Sequence, residues 1–160
     1  MGKKNKAEPG AHLDPSAELL QIVKECCGCL GVPIPELRPV RKMPSASKTV
    51  RAMLEYSPKT GTFAVLLRID AKMDYDTVFA IVHEIRHEYQ IINNLFDVSK
   101  HQESGTGNTI HDYNMQPEEI DAHAFGYNYM LEHYGVRMLF LPFSADVKEA
   151  IYKRAEEIKK

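Results

Sequence analysis

The stretch VFAIVHEIRHEYQ, residues 78 to 90, constrains this chain more than any other. His83 and His87 stand four residues apart, and Glu84 follows the first directly. An α-helix advances about 100° per residue, so the two histidines lie only about 40° apart, one turn from each other. Both imidazoles can reach one ion on the same side. Glu84 is rotated about 100° from His83 and can stand beside that ion without binding it. Two neutral ring nitrogens to hold zinc, and a carboxylate to take a proton from the water it holds, are what H-E-x-x-H supplies to metal-assisted hydrolysis. The flanking residues match a helix: Val78, Ile81, Val82, Ile85, Tyr89 and Ile92 fall within an arc of about 100°, nearly opposite the histidines. One face is expected to pack on a core. A merely solvated opposite face would be rich in lysine and glutamate, whereas Ala80 and Asn94 lie near the histidine pair.

The 160 residues suit one domain with a core of its own, at 44% hydrophobic and 26% charged. A net charge of −2 argues against a nucleic-acid partner, which usually needs a basic surface. The local basic groups, Lys3, Lys4 and Lys6, then Arg38, Arg41, Lys42, Lys48 and Arg51, read as solvated charge. The first residues carry positive charge but no apolar run, and Lys6 breaks the myristoylation pattern, so neither a secretory signal nor a lipid anchor is expected. No window approaches the roughly 18 apolar residues of a membrane span. The three cysteines crowd into ECCGC, too close to pair well and odd in number. Free thiols in a reducing cytoplasm are expected, Cys26 and Cys27 as small buried hydrophobes and Cys29 as a bystander.

Residues 1 to 12 read as a disordered tail and 13 to 160 as one domain. Asp14-Pro15 is a cap-and-start signal for a first helix, which Gly31 and Pro33 end. A proline-punctuated segment holds one short edge strand around Leu37 to Met43. Two apolar runs around SPKTG predict a hairpin, and a helix follows, capped by Asp74 or Asp76. Residues 97 to 116 are polar and without period, a long loop of the kind that borders functional sites. Pro117 opens another helix, closed at Gly135, and Ser144 caps the last one. The class is α+β, with a small antiparallel sheet packed on the HEIRH helix and on further helices.

Two histidines and a water leave one ligand to find. His101, His111, Asp112, Glu118, Glu119, Asp121 and His123 are the downstream candidates. On the helix EEIDAHAFGYNYM, Glu119, His123, Gly126 and Met130 share a stripe. Glu118 lies about 100° off that stripe and Asp121 about 160° off, so Glu119 and Asp121 cannot both face one metal. HEIRH followed by EEIDAHAFG on a second helix resembles the small zinc metallopeptidases of the ImmA/IrrE type, over residues 75 to 130. The resemblance implies a minimal zincin-like fold, with Glu119 as third zinc ligand and His123 at a polar position behind it. His123 stands where Asn or Asp is more usual, and Gly126 where Ala is usual.

Zn²⁺-dependent peptide-bond hydrolysis is thus expected, with His83, His87 and Glu119 holding zinc and Glu84 activating water. His123 is expected to orient Glu119 or a zinc-binding histidine, with a replacement ligand or a merely partly exposed histidine as the other readings. Tyr113 and His111 are candidates for stabilising the oxyanion. Arg86 and Glu88 read as a local salt-bridging face, with Arg86 as an alternative grip on a substrate carboxylate. The partner is a peptide or protein substrate. The competing expectation is a non-catalytic metal-binding protein, or a regulatory protein of a phage or mobile element, that retains the same fold.

Overall fold

A computed structural model describes residues 17–44, 50–102 and 109–159. The expected tail over 1–12 and the Asp14-Pro15 cap lie outside the described residues. Among the described residues, five helices and three strands follow in order: α1 (Ala17–Leu30), β1 (Glu36–Val40), β2 (Ala52–Ser57), β3 (Thr62–Arg68), α2 (Tyr75–Ile92), α3 (Ile110–Asn114), α4 (Pro117–Tyr134) and α5 (Ala145–Ile158). The fold is α+β.

The hairpin turns at SPKTG, where β2 pairs antiparallel with β3, Leu54 opposite Val65. The sheet order is β1-β3-β2, and β1 joins β3 in parallel, so the sheet is mixed rather than wholly antiparallel. The chain lays down β2 between β1 and β3 in sequence but leaves it at the far edge in space, and hydropathy alone carries no strand direction. Pro39 sits in β1, an edge strand, where its missing N–H costs no ladder bond.

The HEIRH helix α2 starts at Asp74, whose carboxylate accepts from Thr77 N at 2.9 Å. Arg51, just before β2, donates to that carboxylate at 2.7 Å and to Thr77 Oγ1 at 2.9 Å. The first turn of α2 is thereby tied to the strand that will border the site. Along the apolar face, Val78, Ile81, Val82 and Ile85 are buried against Leu19, Val23, Cys26, Cys27, Val65 and Leu67. Burial of each such side chain stabilises the fold by about 1.5–3 kcal/mol. Ile92, expected on this face, is exposed at the helix end. Cys26 and Cys27 are buried and Cys29 is exposed, all as free thiols.

Pro117 takes the first turn of α4, and Gly135 ends it with φ 64, the left-handed conformation only glycine adopts cheaply. Ser144 occupies the N-cap of α5, but its hydroxyl donates to Asp146 at 2.5 Å and makes no capping bond. Asp146 bonds the Val147 N–H itself, at 3.0 Å. No helix among the described residues is long and apolar enough to cross a membrane.

Candidate metal centre

Helices α2 and α4 pack side by side and each presents an i, i+4 pair to the other: His83 and His87 from α2, Glu119 and His123 from α4. All four side chains are buried. His83 Nε2 and His87 Nε2 are 3.1 Å apart. Glu119 closes a triangle beneath them, with Oε2 at 3.1 Å from His83 Nε2 and Oε1 at 3.1 Å from His87 Nε2. Although it lies this close to His83, Glu119 Oε2 has no hydrogen-bond partner among the described residues, and neither does His83 Nδ1. The two Nε2 atoms are within hydrogen-bonding distance of each other, and the three side chains converge on one spot. Ligand atoms of a tetrahedral zinc site, at bond lengths of about 2.0–2.2 Å, lie about 3.3–3.6 Å from one another. The observed edges are within a few tenths of an ångström of that spacing, and the nitrogen and carboxylate donors suit zinc.

His123 adds to this cluster. One ligand atom each of His83, Glu119 and His123 lie within 4.8 Å of one another, a buried group that could hold a metal ion. Its Nδ1 lies 2.7 Å from the Glu119 carbonyl, an acceptor only, so Nδ1 carries the hydrogen. His123 is thereby fastened to the backbone of Glu119. Its ring sits 4.4 Å from that of His83 and packs against Phe79, Phe140 and Phe143. Burial there, reinforced by His83, depresses its pKa to about 3, so it is neutral.

Gly126 lies one turn beyond, where a Cβ would meet the Phe79 ring at 2.5 Å. Glycine is what lets that aromatic wall come down onto the histidines. Gly126→Ala is expected to destabilise the protein by about 1–3 kcal/mol through overpacking. A denaturant midpoint equal to wild type would show that Phe79 yields freely.

Within the protein alone, the buried charges answer one another. Burial opposes charge on His87, but Glu119 outweighs it and raises the histidine to about 9. Burial likewise opposes the Glu119 carboxylate, and His87 and His83 outweigh it, holding that group well below 4.5. The histidine's share of this stabilisation is complete below its ordinary 6.5 and is lost as pH rises through about 9. An incoming metal must displace the His87 proton. Zinc uptake near neutral pH is therefore expected to release about one proton, and affinity to rise with pH toward 9. Calorimetry in buffers of different ionisation enthalpy measures this. Binding with no proton release would contradict the pairing.

A cleft of about 380 Å³ opens beside the cluster, lined by β2 from Ala52 to Tyr56 and by Glu84, His87, Ile91, Phe96, Val98, His101, Tyr113 and Glu119. Glu84 Oε2 accepts from Leu54 N at 2.8 Å, which orients the carboxylate against the strand. Desolvation raises its pKa, although His83 and His87 pull the other way. Tyr113, on the short helix α3 within the expected loop, donates to Glu119 Oε1 at 3.0 Å.

Three expectations need correction. His111 does not join Tyr113 at the cleft: it is exposed and bonds Asp146 at 2.6 Å. Two residues on a helix are about 200° apart, so His111 and Tyr113 face opposite ways. Arg86 is not a surface charge but is buried, bidentate to Asp121 at 2.7 and 3.1 Å, and its guanidinium lies 4.4 Å over the Tyr89 ring. Glu88 is fully buried, neither oxygen has a hydrogen-bond partner among the described residues, and desolvation lifts its pKa to about 7.

Sequence reasoning considered His101 and Glu118 only as ligands and did not see that they pair. His101 Nδ1 meets Glu118 Oε1 at 2.7 Å, and its Nε2 lies 3.8 Å from Glu119 Oε1. Gln90, three residues after His87 on the same helix, was missed, although that spacing was the available signal. Asp121 faces away from the cluster, where burial works against its charge but Arg86, Gln90 and Arg154 hold it ionised.

No family model, no curated protein and no solved structure matches this chain.

Proposed function

We propose that the protein is a zinc-dependent metallopeptidase in which His83, His87 and Glu119 hold the ion and Glu84 is the general base. The observation that carries this reading is the triangle of His83, His87 and Glu119 donors at 3.1 Å, with a Glu119 oxygen that has no hydrogen-bond partner among the described residues, beside a cleft that also holds Glu84. When bound, zinc acidifies water and polarises a carbonyl.

Glu84 takes a proton from the attacking water and delivers it to the leaving amine. Its bond to Leu54 N keeps the carboxylate at the cleft wall, and its raised pKa brings it closer to the neutral range where a general base works best. Tyr113 lines the same cleft, and its hydroxyl, which donates to Glu119 Oε1 in the metal-free chain, can turn to the carbonyl oxygen as it becomes negative. A peptide substrate is supported by the cleft running along β2, an edge strand: apart from Leu54 N, which Glu84 takes, an edge strand can pair an extended chain as an added strand.

Zinc content and peptide cleavage together test this reading. Untagged protein incubated with a degenerate peptide library, read by mass spectrometry, is expected to yield products that a chelator suppresses and zinc restores. A protein that holds zinc and cuts no peptide would favour the non-catalytic metal-binding alternative, on which the same ligands serve a structural or regulatory purpose.

A further inference from the structure

His87 has one proton to place when its ring is neutral, and two acceptors compete for it. Glu119 Oε1 faces Nε2 at 3.1 Å, and Gln90 Oε1 faces Nδ1 at 2.7 Å. A proton on Nε2 would satisfy the carboxylate but close the nitrogen to a metal. A proton on Nδ1 leaves the Nε2 lone pair bare.

The amide of Gln90 has no choice of orientation. Its other terminal atom lies 2.7 Å from Asp121 Oδ2 and 3.0 Å from the Glu118 carbonyl, both acceptors. That atom must be the NH₂ nitrogen, so the oxygen is turned toward His87 and can only accept. Asp121 is itself fixed as an acceptor. Arg86 reaches it from α2 at 2.7 and 3.1 Å, and Arg154 from α5 at 2.9 and 2.8 Å. Every polar contact in the chain Arg154–Asp121–Gln90–His87 points the same way.

We infer that Gln90, locked by Asp121 and its two arginines, is a positioning residue that holds His87 in the Nδ1–H form and presents a bare Nε2 to the metal. The inference rests on the metal reading above for its purpose, but the proton position is a property of the metal-free chain. It also gives the C-terminal helix α5 a part in the site: Arg154 acts on His87 through two intervening side chains.

Two readouts test it on the full chain. The first is the His87 tautomer in metal-free protein, with its imidazoles neutral, from long-range ¹H–¹⁵N correlation spectra. Wild type is expected to show Nδ1–H. In Gln90→Leu the Glu119 carboxylate wins and the proton is expected to move to Nε2. The second is zinc affinity by competition with a chromophoric chelator, expected to be about 10–100-fold weaker in Gln90→Leu.

Gln90→Met keeps the length and volume of the side chain but removes both the acceptor at His87 and the donor to Asp121, so it is expected to lose the Nδ1–H form and zinc affinity as Gln90→Leu does, which a simple loss of packing would not do. Gln90→Leu with an unchanged tautomer, or Gln90→Met with zinc affinity equal to wild type, overturns the inference. Should wild type take up no zinc yet show Nδ1–H at His87 that Gln90→Leu abolishes, the metal reading falls and the positioning role stands.

Discussion

Glu84→Gln is expected to bind zinc at the wild-type stoichiometry and to lose at least about 100-fold in peptide cleavage. The substitution keeps size and shape, so the α2 backbone and the neighbouring histidines need not move. Leu54 N donates to Glu84 Oε2 at 2.8 Å, which dictates how the amide will sit. Its oxygen takes the Leu54 bond, and its NH₂ turns to the cleft. A donor then stands where a proton acceptor is required. Metal analysis and turnover on one preparation separate the two functions. Loss of metal along with activity would mean that Glu84 is part of the binding set. Cleavage near the wild-type rate would mean that another group is the base.

The second large effect is expected at Glu119. Its carboxylate is buried, lies 3.1 Å from both His83 Nε2 and His87 Nε2, and accepts from Tyr113 at 3.0 Å. Glu119→Gln preserves volume but removes the charge on which the cluster centres. Zinc affinity should fall by more than the roughly 10–100-fold typical of an outer partner's loss. Without that carboxylate, the desolvation that opposes charge on His87 is no longer outweighed, so its titration should move down from about 9. Histidine titration by NMR gives this second reading without any metal present. An unchanged His87 titration, or zinc held as tightly as in wild type, would remove Glu119 from the site.

The parts of the fold that are legible in the sequence are those with local physical causes. The period of α2, its Asp74 cap, the SPKTG turn, and the Pro117 and Gly135 limits of α4 are each written within a few residues. The choice of Glu119 over Asp121 is likewise a matter of helix rotation, and the structure sets them on different sides, Asp121 on Arg86 and Glu119 beneath the histidines. What the sequence hides is the partner across the gap. A helix wheel makes Arg86 and Glu88 look like a surface pair, because nothing local shows that α4 covers one and the core seals the other. The parallel docking of β1, the His101–Glu118 pair and the Gln90–Asp121 contact all join residues far apart in the chain. Hydrophobic pattern fixes a face; it carries no address for a polar contact.

The most direct test of the account is the metal itself. Untagged protein, supplemented with zinc and dialysed, should retain one zinc per chain. X-ray absorption should give a first shell of two imidazole nitrogens with carboxylate oxygen, at about 2.0–2.2 Å. Protein that holds no stoichiometric zinc after supplementation, or a zinc shell lacking two histidines, would contradict the assignment of His83, His87 and Glu119.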